Sequence, residues 1–125
     1  MWREYSIRYP PIAGRPKAAA VGDIDLDRRP DIVLSTGEAH GERRGIMWMR
    51  FRDTPLDPEW ETFDVSGTEG VKFDLNLLLD IDGDGDLDIV NSEENDNAAG
   101  SNPGLGVVWY ENPTARGRPQ IPKPK

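Results

Sequence analysis

The stretch Asp80-Ile81-Asp82-Gly83-Asp84-Gly85-Asp86-Leu87-Asp88-Ile89-Val90 decides how this chain is read. Acids alternate with Ile, Gly and Leu, and the run ends on a β-branched pair. A second copy, Asp23-Ile24-Asp25-Leu26-Asp27-Arg28-Arg29-Pro30-Asp31-Ile32-Val33, stands 57 residues earlier. The match continues outward from these loops. Gly45-Ile46-Met47-Trp48 corresponds to Gly106-Val107-Val108-Trp109 at a shift of 61, and Trp2-Arg3-Glu4-Tyr5 to Trp60-Glu61-Thr62-Phe63 at a shift of 58. Three blocks in the same order define an internal duplication. The longer spacing of the second copy falls within Asn95 to Gly104.

Each copy reads as four short strands. The first set is Trp2 to Arg8, Ala18 to Ile24, Asp31 to Ser35 and Gly45 to Phe51; the second is Trp60 to Val65, Leu75 to Ile81, Leu87 to Asn91 and Leu105 to Glu111. β-Branched and aromatic residues fill these runs, and Gly, Pro, Asn or Asp separate them. Helical spacing is sustained nowhere over ten residues, so the expected class is all-β. Four strands per repeat suit a propeller blade, although the repeat exceeds the ~40–45 residues of the commonest blades. The expected division is residues 1–66 for the first repeat with its leading strand, 67–113 for the second, and 114–125 for a basic, Pro-rich, disordered tail.

The 125 residues carry Lys+Arg 15 against Asp+Glu 23, a net charge of −8. That balance argues against nucleic acid, whose binding draws on clustered Lys and Arg. Nine of the fourteen Asp fall in the two stretches Asp23 to Asp31 and Asp80 to Asp88. With no Cys there is no disulfide framework, thiolate site or Cys nucleophile. The single His40 sits in a loop-like Glu-Ala-His-Gly-Glu context and is expected to be solvated, so no Ser/His/Asp or Cys/His constellation is available. No apolar run approaches the roughly 20 residues of a membrane span, and Met1-Trp2-Arg3-Glu4 lacks the pattern of a signal peptide.

Five carboxylates in nine residues repel one another unless a cation joins them. Asp80, Asp82 and Asp84 converge from a tight loop, Gly85 permits a positive φ, Asp88 closes the far side, and the Asp86 carbonyl is a further donor. An all-oxygen, charged and flexible set suits Ca²⁺ better than Mg²⁺. An EF-hand is excluded, because loop position twelve is Asn91 rather than Glu and a strand follows where a helix belongs. The alternative is a solvated acidic turn.

The first copy keeps Asp23, Asp25, Asp27 and Asp31 but has Arg28 where Gly85 stands, which predicts strain of about 1 kcal/mol and a weaker site. There, the alternative is an ion-free turn in which Arg28 or Arg29 pairs with the acids.

The Asp-x-Asp-x-Asp-Gly-x-x-Asp pattern followed by Ile-Val, with Gly-Val-Val-Trp-Tyr-Glu-Asn downstream, resembles the FG-GAP/VCBS repeat family over about residues 1–113. The resemblance implies β-propeller blades with calcium in the hairpin between a blade's first two strands. Carried over, the second site is Asp80, Asp82, Asp84 and Asp88 with the Asp86 carbonyl, and the first is Asp23, Asp25, Asp27 and Asp31. It also implies two antiparallel blades of the four-stranded kind: one complete, from Ala18 to Val65, and one from Leu75 to Glu111 with three strands, its outermost strand lacking. Two blades do not close a ring, so the expectation is either part of a longer propeller or a head-to-tail assembly in which Trp2 to Arg8 completes a neighbour's blade.

The function these readings favour is a calcium-binding, non-enzymatic module that engages protein or carbohydrate through its loops, outside the cell or in its envelope. The alternatives are part of a calcium-dependent polysaccharide lyase, another carbohydrate-active propeller, or a lectin. Trp48 and Trp109, and likewise Trp2 and Trp60, are expected to pack in the core, and the loop Glu93 to Gly104 is the candidate recognition surface.

Overall fold

The computed structural model describes residues 1–94 and 104–116. The chain is all-β, with two four-stranded antiparallel sheets. The first has the order β1 (Arg15–Gly22), β2 (Asp31–Gly37), β3 (Ile46–Arg50) and β4 (Glu61–Asp64). The second is built from β5 (Lys72–Phe73), β6 (Leu77–Leu79), β7 (Asp88–Glu94) and β8 (Gly106–Tyr110). β5 and β6 lie end to end along one edge of β7, because Glu93 and Val90 each pair with one of them on that side and with β8 on the other. The second sheet is therefore three strands wide.

The break between β5 and β6 has a local cause. Asp74-Leu75-Asn76 leaves the ladder, and the Asn91 carboxamide replaces the missing bonds. It accepts from Asp74 N at 3.1 Å and donates to Asp74 O at 3.3 Å and Asn76 Oδ1 at 2.6 Å. In the first sheet the equivalent irregularity is only a bulge between Pro16 and Ala18. The sequence reading did not separate β5, since two residues carry no alternation to detect.

The sheets meet face to face. Ile24, Val33, Ile46 and Trp48 from the first pack with Phe73 and Ile89 from the second. All six are at most 5% exposed, and burying each such side chain is worth roughly 1.5–3 kcal/mol. Trp48 stacks on Phe63 with centroids 4.4 Å apart. Polar groups lock the contact: Asn76 Nδ2 donates to Val33 O at 3.3 Å, Ala39 N donates to Val71 O at 2.9 Å, and the Ser35 hydroxyl donates to Asp74 O.

Several expectations need correction. Trp2 to Arg8 is not a strand; residues 1–9 are all exposed, and their hydrogen bonds to described backbone are those of Arg8 N with Pro58 O and of the Tyr9 hydroxyl with Gly14 O. Without a ladder partner, alternation alone does not make a strand. Trp109 is 46% and Trp2 99% exposed, so neither is a core residue; Trp48 is buried and Trp60 half-buried. Thr114–Arg116, assigned to a disordered tail, forms a 3-10 turn. His40 is exposed, as expected. Asn95, Asp96, Asn97 and Asn102 of the candidate recognition loop, and 117–125 of the tail, lie outside the described residues.

At Gly45 the sheets approach so closely that a Cβ would overlap the Phe73 ring. Gly45→Ala is expected to cost about 1–3 kcal/mol in chemical denaturation, and Phe73→Leu in the same chain should recover part of it. An unchanged midpoint for Gly45→Ala would contradict this packing.

Candidate metal centre

Each acidic stretch is the loop of a hairpin, β1–β2 in the first repeat and β6–β7 in the second. The two loops share one set of hydrogen bonds. Asp31 Oδ2 accepts from Ile24 N at 2.7 Å, and Asp88 Oδ2 from Ile81 N at 3.1 Å. Asp23 accepts from the main-chain N of Asp27 and Arg28, and Asp80 from those of Asp84 and Gly85. Asp27 N also reaches Asp25, as Asp84 N reaches Asp82. Arg29 N donates to Asp27, as Asp86 N donates to Asp84. Main-chain donors thus gather the carboxylates in the same register twice, a stabilisation that ionised acceptors strengthen.

The gathering differs in detail. In the first loop, Asp23, Asp25, Asp27 and Asp31 each offer an oxygen within 4.8 Å of the others. In the second, the acids form two trios sharing Asp82: Asp80, Asp82 and Asp88, and Asp82, Asp84 and Asp86. The Asp86 side chain, expected to stand aside while its carbonyl served, is itself a member of the second trio. Its Oδ2 accepts from Ala115 N at 2.8 Å.

Three carboxylate oxygens in these loops are buried without a hydrogen-bond partner: Asp31 Oδ1, Asp84 Oδ2 and Asp86 Oδ1. Asp31 and Asp86 are each 1% exposed. Burial pushes both carboxyls up to about 6. The Asp25 and Asp27 charges add to the effect at Asp31, and Asp84 and Asp88 add to it at Asp86. At Asp27, burial is outweighed by the main-chain and side-chain donors of Arg29, and its carboxyl lies below the usual range.

Arginines answer part of the negative charge. Arg50 NH1 reaches Asp25 at 2.8 Å and Arg29 Nε reaches Asp27 at 3.3 Å. In the second loop Arg116 spans Asp82 at 3.1 Å and Asp84 at 3.7 Å. Arg29, not Arg28, supplies the side-chain ion pair. Sequence reading missed Arg50 and Arg116, which lie far along the chain from their acids. It also missed Asn112, whose Nδ2 donates to Ile24 O at 2.8 Å and Leu87 O at 2.9 Å while its N donates to Asp88 at 2.7 Å.

Arg28 has φ 69°, as its correspondence with Gly85 predicts, and Leu26 has φ 63° opposite Gly83. The first loop therefore holds two side chains in the left-handed region, at about 1–2 kcal/mol each.

The donor set fits a hard cation. It is wholly oxygen, multiply charged, and includes two buried oxygens, Asp31 Oδ1 and Asp86 Oδ1, with neither a hydrogen-bond nor an ion-pair partner among the described residues. Compared with known protein families, with curated proteins and with solved structures, the chain matches none.

Two predictions follow from this geometry. Gly85→Arg should destabilise the protein by about 0.5–1 kcal/mol and Arg28→Gly should stabilise it by a similar amount, because in both the left-handed strain is partly offset by glycine's greater unfolded freedom. A stabilising Gly85→Arg or a destabilising Arg28→Gly would contradict the strain argument. In chelator, Asp31 takes up its proton near pH 6 when folded but near its ordinary 3.8 when unfolded. Its stabilising contribution is complete below the lower value and lost as pH rises through the upper. Asp31→Asn should therefore stabilise the ion-free protein at pH 7.5 by on the order of 1 kcal/mol, a gain that fades towards pH 4. A gain independent of pH would contradict the burial argument.

Proposed function

We propose that this chain is a calcium-binding repeat module whose two sheets are blades of the β-propeller type, similar to those of the FG-GAP/VCBS family. The observation that carries the reading is the recurring cage: two loops with one hydrogen-bond pattern, converging carboxylates, and buried oxygens left without donors. Asp23, Asp25, Asp27 and Asp31 would hold one ion. Asp80, Asp82, Asp84, Asp86 and Asp88 would hold the other. Calcium bound there neutralises the acids and fixes each hairpin, so its role is structural. The second loop is the tighter site, because it has five Asp and glycine at both left-handed positions.

The module is non-enzymatic in this reading. The clustered carboxylates are committed to the cages, the only His is exposed, and Cys is absent. The strand and loop termini present a surface to a protein or carbohydrate, in the calcium-rich space outside the cell or in its envelope, where sites of about 10⁻⁴–10⁻³ M suffice. No helix among the described residues is long and apolar enough to cross a membrane.

Calorimetric titration of chelator-stripped protein tests this. Ca²⁺ should bind at two unequal sites and raise the melting temperature, with Mg²⁺ much weaker. Asp88→Asn should remove the tighter site and Asp31→Asn the weaker. Absence of heat with unchanged melting would overturn the reading.

A further inference from the structure

The two repeats part company at β8. In the first sheet β4 covers the outer edge of β3, placing Phe63 opposite Trp48, Thr62 opposite Met49 and Glu61 opposite Arg50. Among the described residues β8, the counterpart of β3, pairs only with β7. Its outer edge is therefore, among the described residues, a row of open main-chain donors and acceptors, a template for a further strand. One face of β8 is bare as well, because no sheet among the described residues stands opposite it as the second sheet stands opposite β3. Val107 and Trp109 are 80% and 46% exposed, whereas their counterparts Ile46 and Trp48 are 0% and 1%.

The sequence contains one more segment of the kind that covers β3. Trp2-Arg3-Glu4-Tyr5 matches Trp60-Glu61-Thr62-Phe63, which contains the start of β4. This segment lies in no strand, and Trp2 and Tyr5 are 99% and 54% exposed. Its root is held against the loop preceding β4 of its own first sheet. Arg8 N donates to Pro58 O at 2.9 Å, and the Arg8 guanidinium meets Glu59 at 2.6 Å.

We propose that residues Trp2 to Ser6 of a second copy of this chain add to the free edge of β8 as the outermost strand of the second sheet, so that copies associate head to tail. Carrying over the β3–β4 register sets Tyr5 opposite Trp109, Glu4 opposite Tyr110 and Arg3 opposite Glu111. The first of these pairs repeats the aromatic partnership of Trp48 and Phe63, and cross-strand aromatic pairs stabilise antiparallel ladders.

Charge complementarity identifies the occupant. In the first sheet Arg50 Nε holds Glu61 Oε2 at 2.7 Å. At the corresponding positions both signs are exchanged, with Glu111 on β8 and Arg3 on the terminal segment. An exchange on one strand alone would set like charges opposite each other. The double exchange keeps the pair attractive, which ties this segment to this edge. The surrounding charges fit as well. Arg50 also binds Asp25 in the first loop, whereas in the second loop Arg116 bridges Asp82 and Glu111, leaving Glu111 at the open end of an alternating series that Arg3 extends. Strand addition of this kind takes affinity from main-chain bonds and selectivity from side chains.

Sedimentation of the full chain from about 1 μM to about 1 mM tests the proposal. The weight-average mass should rise with concentration above that of one chain. Glu4→Pro/Tyr5→Pro removes main-chain donors of either parity from an exposed segment, and should abolish association while leaving the melting temperature unchanged. Arg3→Glu and Glu111→Arg should each weaken association by about threefold, and the two together should restore it. The mass of a single chain at every concentration, which closure within one chain would also give, overturns the proposal. So does association that survives the double proline variant, or a charge exchange that fails to rescue.

Discussion

Crowding of like charge in two short hairpin loops is the constraint around which this protein is organised. Four or five carboxylates in nine residues would force an ordinary turn open. Here the main chain turns inward, so that its N–H groups face the carboxylates. Asp23 and Asp80 each accept from successive amides, and Asp31 and Asp88 close the loops by accepting from Ile24 and Ile81. That inward turn requires two left-handed residues per loop. Glycine supplies them in the second copy, while the first tolerates Leu26 and Arg28. Main-chain donors and nearby guanidinium groups satisfy much of the charge, and the oxygens left over are those a cation would take.

The loops and the core hold each other in place. Ile24 lies in the first acidic loop and also in the apolar cluster between the sheets. Its carbonyl and that of Leu87 share the Asn112 side chain, and Asn112 N reaches Asp88. One buried asparagine therefore joins the first loop, the second loop and the chain leaving β8. Truncating it would leave buried carbonyls without donors, a penalty larger than the net worth of the bonds themselves. The arginines occupy the opposite side of the same balance. Arg50 and Arg116 approach the acids that a cation would approach, so any bound ion competes with, or displaces, a guanidinium already present.

Much of this was legible in the sequence because it depends on local pattern. The period of alternation located seven of the eight strands to within a few residues, and the 57-residue correspondence located both loops together with the left-handed conformation at residue 28. What escaped depends on contacts between distant residues. Arg116 and Asn112 act on loops some 24 to 34 positions away or more, with no motif to announce them. The Trp2 to Arg8 segment failed as a strand because alternation gives only a propensity, and pairing gives the strand. Trp109 was misplaced for a related reason: equivalence within a repeat guarantees the same backbone position, while burial depends on whether another sheet stands opposite.

The central claim is that both acidic loops are cation cages, and a crystal structure of the protein grown with calcium would test it most directly through anomalous scattering. The account predicts a calcium peak within each loop, coordinated by the carboxylates of Asp23 to Asp31 and of Asp80 to Asp88, with Arg116 moved away from Asp82 or Asp84. Loops without peaks, and with the arginine pairs intact, would contradict it and leave an acidic all-β repeat that balances its own charge.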